Sequence, residues 1–140
     1  FLPYAWYIIV FMKAKHMQTK DIKNFKMSDD VYKLRRKVIE HIYELRHLRL
    51  PRVQVRIGEA RHSRALLGQA SLKDRKVWIT KAAINMGERV LRNVVFHELV
   101  HAIYGFNHDE KCPLMQAKLE TILSKENCIE HFTRYHKKFN

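Results

Sequence analysis

His97-Glu98-Leu99-Val100-His101-Ala102-Ile103-Tyr104-Gly105-Phe106-Asn107-His108 is the stretch whose reading decides the rest of the chain. Two histidines four residues apart share one face of an α-helix, one turn above each other. Their imidazole nitrogens can bind one cation at about 2.0–2.1 Å each, as zinc requires. Glu98 follows the first of them and projects beside the ion without ligating it, where it can accept a proton from an activated water. The surroundings support a helix. Leu91, Val94 and Val95 form an apolar stripe at three- and four-residue spacing, no breaker interrupts 91–96, and Gly105 offers a helix stop. A third histidine, His108, follows that stop. The alternative is a surface helix that merely carries two histidines, and it requires helix, stop and third histidine to coincide by chance.

These residues resemble the active-site segment of metzincin zinc peptidases, whose pattern is H-E-x-x-H-x-x-G-x-x-H followed by a turn bearing a methionine. His97, Glu98 and His101 match directly. Gly105 and His108 match with one residue inserted, since Ala102, Ile103 and Tyr104 precede the glycine where the family has two residues. A wider helical turn or a displaced glycine would absorb it. Cys112-Pro113-Leu114-Met115 resembles the methionine turn, and the cysteine before Met115 is similar to the archaemetzincin branch; the matrixin type shares the helix and the turn. The resemblance spans residues 94–115. It implies a zincin-like α+β single domain over 1–140, with a small mixed sheet on the H-E-x-x-H helix and further helices before and after. It also implies one Zn2+ ion, Glu98 as general base and Met115 beneath the metal.

The third ligand has several candidates. His108 is the metzincin choice. Glu120 lies 19 residues after His101, a spacing similar to thermolysin-like peptidases, which draw a glutamate from a second helix. Asp109 and His131 are further oxygen and nitrogen donors. Tyr104, His62 and Tyr135 are candidates for a second electrophile, none with a spacing argument.

The chain has 140 residues, 46% of them apolar, enough to bury one domain core. Cys112 and Cys128 are too few for a disulfide framework; either a bridge from the methionine turn to the last helix or two reduced thiols fits them, and the usage weakly favours a reducing, cytoplasmic setting. The longest apolar run, 1–12, contains Pro3 and falls short of the roughly 20 residues of a membrane span. It lacks a basic flank, so it reads poorly as a signal peptide, although a chain that starts with Phe1 leaves room for a leader ahead of it. Lys and Arg number 27 against 14 Asp and Glu, a net charge of +13. Such an excess bears on partners: nucleic acid, an anionic surface or an acidic protein.

In chain order, residues 1–27 read as an N-terminal extension, with a strand or docking segment at 4–12 and a basic loop at 13–26. Ser28 with Asp29 and Asp30 starts a helix whose apolar face is Val31, Leu34, Val38, Ile42, Leu45 and Leu48, ended by Pro51. Val53, Val55 and Ile57 alternate with Arg52, Gln54 and Arg56 as a half-buried strand closed by Gly58. Residues 61–64 read as a basic loop. Residues 66–72 form a second strand with Gly68 as a bulge or close approach, 73–75 a turn, and 76–80 a third strand. One of these last two should be the edge strand that pairs with an extended substrate. Trp78 is expected in the core rather than in a cleft. Residues 82–87 are a connection, 88–104 the metal-binding helix, 116–123 the start of another helix, and 129–139 a continuing apolar stripe. His131 and His136 in that tail read as solvated.

The expectation is therefore a zinc peptidase acting on protein or peptide. The alternatives are a basic, nucleic-acid-associated zinc protein, similar to SprT-like DNA-repair peptidases, or a non-catalytic module that retains the helix.

Overall fold

A mixed three-stranded sheet and four α-helices make up the α+β architecture of residues 29–58 and 67–140, which the structure, a computed structural model, describes. The expected segments at 4–12, 13–26 and 61–64, the Ser28 cap and His62 lie outside the described residues.

Strand β1 (Gln54–Gly58) runs parallel to β3 (Lys76–Thr80), and β2 (Gly68–Ser71) runs antiparallel to it, in the order β1-β3-β2. β2 and β3 are joined at the expected turn, where the Asp74 N–H donates to Ser71 Oγ at 3.2 Å and Arg75 takes a positive φ of 51°. β3 is therefore central and pairs on both sides. Of the two segments expected to supply an edge, only β2 lies on the outside of the sheet among the described residues.

The register sorts the side chains by face. Val55, Ala70, Val77 and Ile79 lie on one face in the core. Arg56, Gln69, Trp78 and Lys76 lie on the other, and they too are buried. The expected alternation of β1 thus holds for Val55 but not for Arg56, which is enclosed instead of solvated. Trp78 is 6% exposed, a buried residue as expected.

Helix α1 (Asp29–Tyr43) packs on β1 and on α3 through the predicted stripe, with Val38 fully buried. It stops short of Leu48. Glu44 turns inward, a 3-10 turn covers Arg46–Leu48, and Arg49 closes it in the left-handed region. Residues 82–87 are more than a connection. Thr80 accepts the Ala83 N–H at 3.2 Å and caps a short helix, α2 (Lys81–Asn85). Gly87, at φ 104°, then re-aims the chain into α3 (Glu88–Leu99).

Helix α3 is the centre of the fold. It contacts the sheet, α1, α2 and the last helix, α4 (Lys125–Phe139). Leu91, Val94, Val95, Phe96 and Leu99 are all core residues, and Phe96 meets Phe132 of α4 edge-on at 5.6 Å between centroids. Truncating either ring to Ala would cost about 3–5 kcal/mol.

The expected helix at 116–123 does not form; the stretch is irregular until Ser124 caps α4 by accepting the Asn127 N–H. At its end, Ile122 and Leu123, the backbone is satisfied from α3 instead. Asn93 Oδ1 accepts the Leu123 N–H at 3.0 Å and Asn93 Nδ2 donates to the Leu123 carbonyl at 3.0 Å. Arg89 donates to the carbonyls of Ile122 and Leu123. Tertiary partners therefore supply what a helical ladder would have supplied. Among the described residues, no helix is long and apolar enough to cross a membrane.

Candidate metal centre

The last two turns of α3 carry His97 and Glu98, and the chain then widens into a π-turn, Val100–Tyr104, that carries His101. The Gly105 N–H is shared between the carbonyls of Val100 at 3.2 Å and His101 at 3.1 Å, the first of these an i to i+5 bond. The π-turn accommodates one more residue than a regular turn. Gly105 ends it at φ 72°, a conformation costly for residues with a Cβ, and a Cβ there would also lie 2.7 Å from Leu72 Cδ2. The reversal at Gly105 brings Phe106 and His108 back over the helix.

His97, His101 and His108 converge, each offering one nitrogen, with all three atoms within 4.8 Å of one another. His97 Nε2 lies 3.1 Å from His101 Nε2 and 3.3 Å from His108 Nε2. Nitrogens bound tetrahedrally to one ion at about 2.0–2.1 Å sit about 3.3–3.4 Å apart, so the spacing fits a zinc-sized cation.

The protonation pattern fits as well. His97 Nδ1 is 2.7 Å from the Leu114 carbonyl, and His101 Nδ1 is 2.7 Å from the Phe106 carbonyl. A carbonyl only accepts, so each Nδ1 carries the proton and donates it. Each Nε2 then carries the ring's lone pair. Two such lone pairs at 3.1 Å repel each other, and a shared cation converts that repulsion into binding. Burial holds both rings neutral: it lowers the pKa of His97 to about 4 and, with the neighbouring His97, that of His101 to about 3. Burial lowers His108 as well, against the opposing charge of Glu110. Neutral imidazole is the form that ligates a metal.

Glu98 is 4% exposed, and its Oε1 has no hydrogen-bond partner. Burial raises its pKa to about 8. Its carboxylate lies against the backbone of β2: a Cβ on Gly68 would stand 3.0 Å from both Cγ and Oε2 of Glu98 and 3.1 Å from the Trp78 carbonyl. Gly68 is thus a close approach, one of its two expected readings.

The segment Cys112–Met115 meets the cluster through its backbone, at the Leu114 carbonyl. The Met115 N–H donates to the Cys112 carbonyl at 3.0 Å, and the Asp109 N–H donates to the Met115 carbonyl at 2.8 Å. This lock holds the Leu114 carbonyl at His97. Met115 itself is fully buried in the core.

The other candidates fall elsewhere. Glu120 is exposed and outside the histidine group. Asp109 Oδ1 accepts the Lys111 N–H. His131 Nδ1 lies 3.8 Å from Cys112 Sγ. Tyr104 is committed to His136, Oη to Nδ1 at 2.7 Å, so His136 is not the solvated residue expected. Tyr135 lies beside Cys112. Cys112 and Cys128 are free thiols, and burial pushes Cys128 up to about 12.

Sequence reasoning missed the two carbonyls that orient the ligands, at Phe106 and Leu114. No residue type marks them, since every residue has a carbonyl. Comparison of the chain with protein-family models, with curated proteins and with solved structures found no match.

Proposed function

We propose that the chain is a zinc-dependent peptidase with a zincin-like, metzincin-type centre: His97, His101 and His108 hold one Zn2+, and Glu98 is the general base. The observation that carries this reading is the convergence of three histidine nitrogens, two of them on rings oriented by a carbonyl at Nδ1. The π-turn over Val100–Tyr104 supports this reading, because it can absorb the one residue by which the spacing departs from the metzincin pattern.

Bound zinc supplies Lewis acidity, which makes a water nucleophilic near neutral pH and stabilises charge on the peptide carbonyl. The chain's own residues do the rest. The Leu114 and Phe106 carbonyls fix the imidazole orientations and raise their basicity. Glu98, with one oxygen unpartnered, takes the proton of the attacking water and passes it to the leaving amine. Gly68 lets the carboxylate lie against β2, one of the two outer strands among the described residues. A general base distinguishes this arrangement from a structural zinc site, which is closed by four protein ligands and has no use for one.

The test is zinc content beside cleavage of a mixed peptide library. The wild-type chain is expected to hold one zinc per molecule. Glu98→Gln should keep that zinc and lose about 10²–10⁴-fold in cleavage. His108→Ala should lose zinc, and Glu120→Ala should lose neither. A His108→Ala protein that retains zinc and cleavage would overturn the ligand assignment, and a zinc-loaded wild type that cleaves nothing would overturn the activity.

A further inference from the structure

One corner of the molecule lies outside the histidine cluster and has no part in the proposed hydrolysis. Helix α4 presents His131, Arg134, Tyr135 and Lys138 on one face, at the i, i+3, i+4, i+7 spacing that brings side chains together. The loop residues Lys111 and Cys112 face them, and the six residues line a cavity of about 210 Å³. Three of the six are permanent cations, and none is an acid.

The nearby acids do not line the cavity, although Glu130 offsets the charge of Arg134. Asp109 Oδ1 accepts the Lys111 N–H, and Glu110 Oε1 accepts the Ala117 N–H. Glu130 pairs with Arg134 one turn back along α4 and does not line the cavity. Lys111, Lys138 and the partly offset Arg134 surround one concavity with positive charge, and an anion seated there offsets their repulsion.

Aromatic rings are interleaved with the charges. Tyr135 packs on Phe106 at 5.3 Å between centroids, and Lys138 Nζ stands 5.8 Å over the Phe106 ring. Cations that track a backbone beside rings that accept bases are the recurring parts of single-strand binding. The chain's net charge of +13 is of the sign that draws in a polyanion.

We propose that this corner binds phosphate groups of single-stranded nucleic acid, with Lys111, Arg134 and Lys138 holding the phosphate and Tyr135 stacking an adjacent base. The site requires no metal and is independent of the peptidase reading.

The test is the affinity of the full chain for a labelled 20-nucleotide oligothymidine across a salt series. The triple variant Lys111→Gln/Arg134→Gln/Lys138→Gln should bind at least tenfold more weakly. Its log–log salt slope should be shallower by about 0.7 for each phosphate that is no longer neutralised. A control that removes the same charge from exposed positions of α1, Lys33→Gln/Arg36→Gln/Lys37→Gln, should stay within about threefold of wild type. Tyr135→Leu should weaken the strand at least about fivefold. Inorganic phosphate should compete better than chloride at matched ionic strength.

Equal losses in the triple variant and the α1 control would overturn the site. So would an acidic peptide of equal charge binding as tightly as the strand. A mononucleotide that binds as tightly as the strand would overturn the strand as the source of the phosphate. Circular dichroism and zinc content unchanged in the variants would exclude misfolding as the cause of a loss.

Discussion

The two halves of helix α3 both bury polar side chains, and they do so in opposite ways. In the first half, Arg92 is 5% exposed and Asn93 is fully buried, yet their partners are all within the chain. Arg92 grips Glu44 with two nitrogens, at 2.9 and 3.0 Å, and also reaches Glu88. Asn93 brackets the backbone of Leu123. In the second half and the π-turn that continues it, the Nε2 lone pairs of His97 and His101 are held facing each other, and Glu98 Oε1 meets no donor. A buried polar group matched donor to acceptor inside the chain is architecture. Acceptors held together, lone pair against lone pair, could hold a cation from outside.

That contrast can be broken first at its structural end. Arg92→Ala leaves the half-buried Glu44 with only His41 and Lys125 and should cost about 1.5–3 kcal/mol in urea unfolding, while zinc affinity of the folded protein stays unchanged. A loss of zinc affinity equal to the loss of stability would erase the division between the two halves. At the other end, zinc at a hundredfold excess over its Kd should raise stability by about 2.7 kcal/mol. The same increment should appear in the wild type and in Arg92→Ala, and it should vanish in His101→Ala. Thermal melts with zinc and with chelator would measure it.

Smaller effects sharpen the comparison. Gly105→Ala forces a Cβ into the left-handed region and against Leu72, at a cost of about 1–2 kcal/mol. Because Gly105 aims Phe106 and His108, this variant should also lose about 10–100-fold in zinc affinity, read by competition with a chelating dye. The smallest effect is on acid stability. Burial alone would raise the Glu44 pKa, but hydrogen bonds from Arg92 and His41 hold it below the ordinary carboxylate value. A depressed carboxylate stabilises fully above its unfolded pKa of about 4.3 and loses that contribution as pH falls through the folded value. The urea midpoint of the wild type should therefore fall more steeply below about pH 4.3 than that of Glu44→Gln, whose acid limb lacks this component; parallel limbs would show that the pair carries no linkage.

Reading these elements from sequence succeeded where the signal was local. The stripe Leu91-Val94-Val95, the pair His97 and His101, the stop at Gly105 and the turn at 73–75 each rest on residues within one or two turns of one another. It failed at 116–123, where Leu119, Ile122 and Leu123 have helical spacing. There Arg89 and Asn93, some thirty residues earlier in the chain, satisfy the backbone at Ile122 and Leu123 and remove the reason for a helix. It failed also at Arg56, whose alternation predicted solvent and whose sheet face is enclosed.

By itself the sequence determined the chemistry on offer: which side chains can ligate, which can act as a base, and that His97 and His101 share a face, because helical periodicity is a local property of the backbone. The choice of His108 over Glu120 as the third member of the cluster was decided only by the tertiary structure. A π-turn, a left-handed glycine and two carbonyls, from Phe106 and Leu114, together aim the rings. Those are positions of backbone atoms, common to every residue type, and only the packed chain distinguishes them.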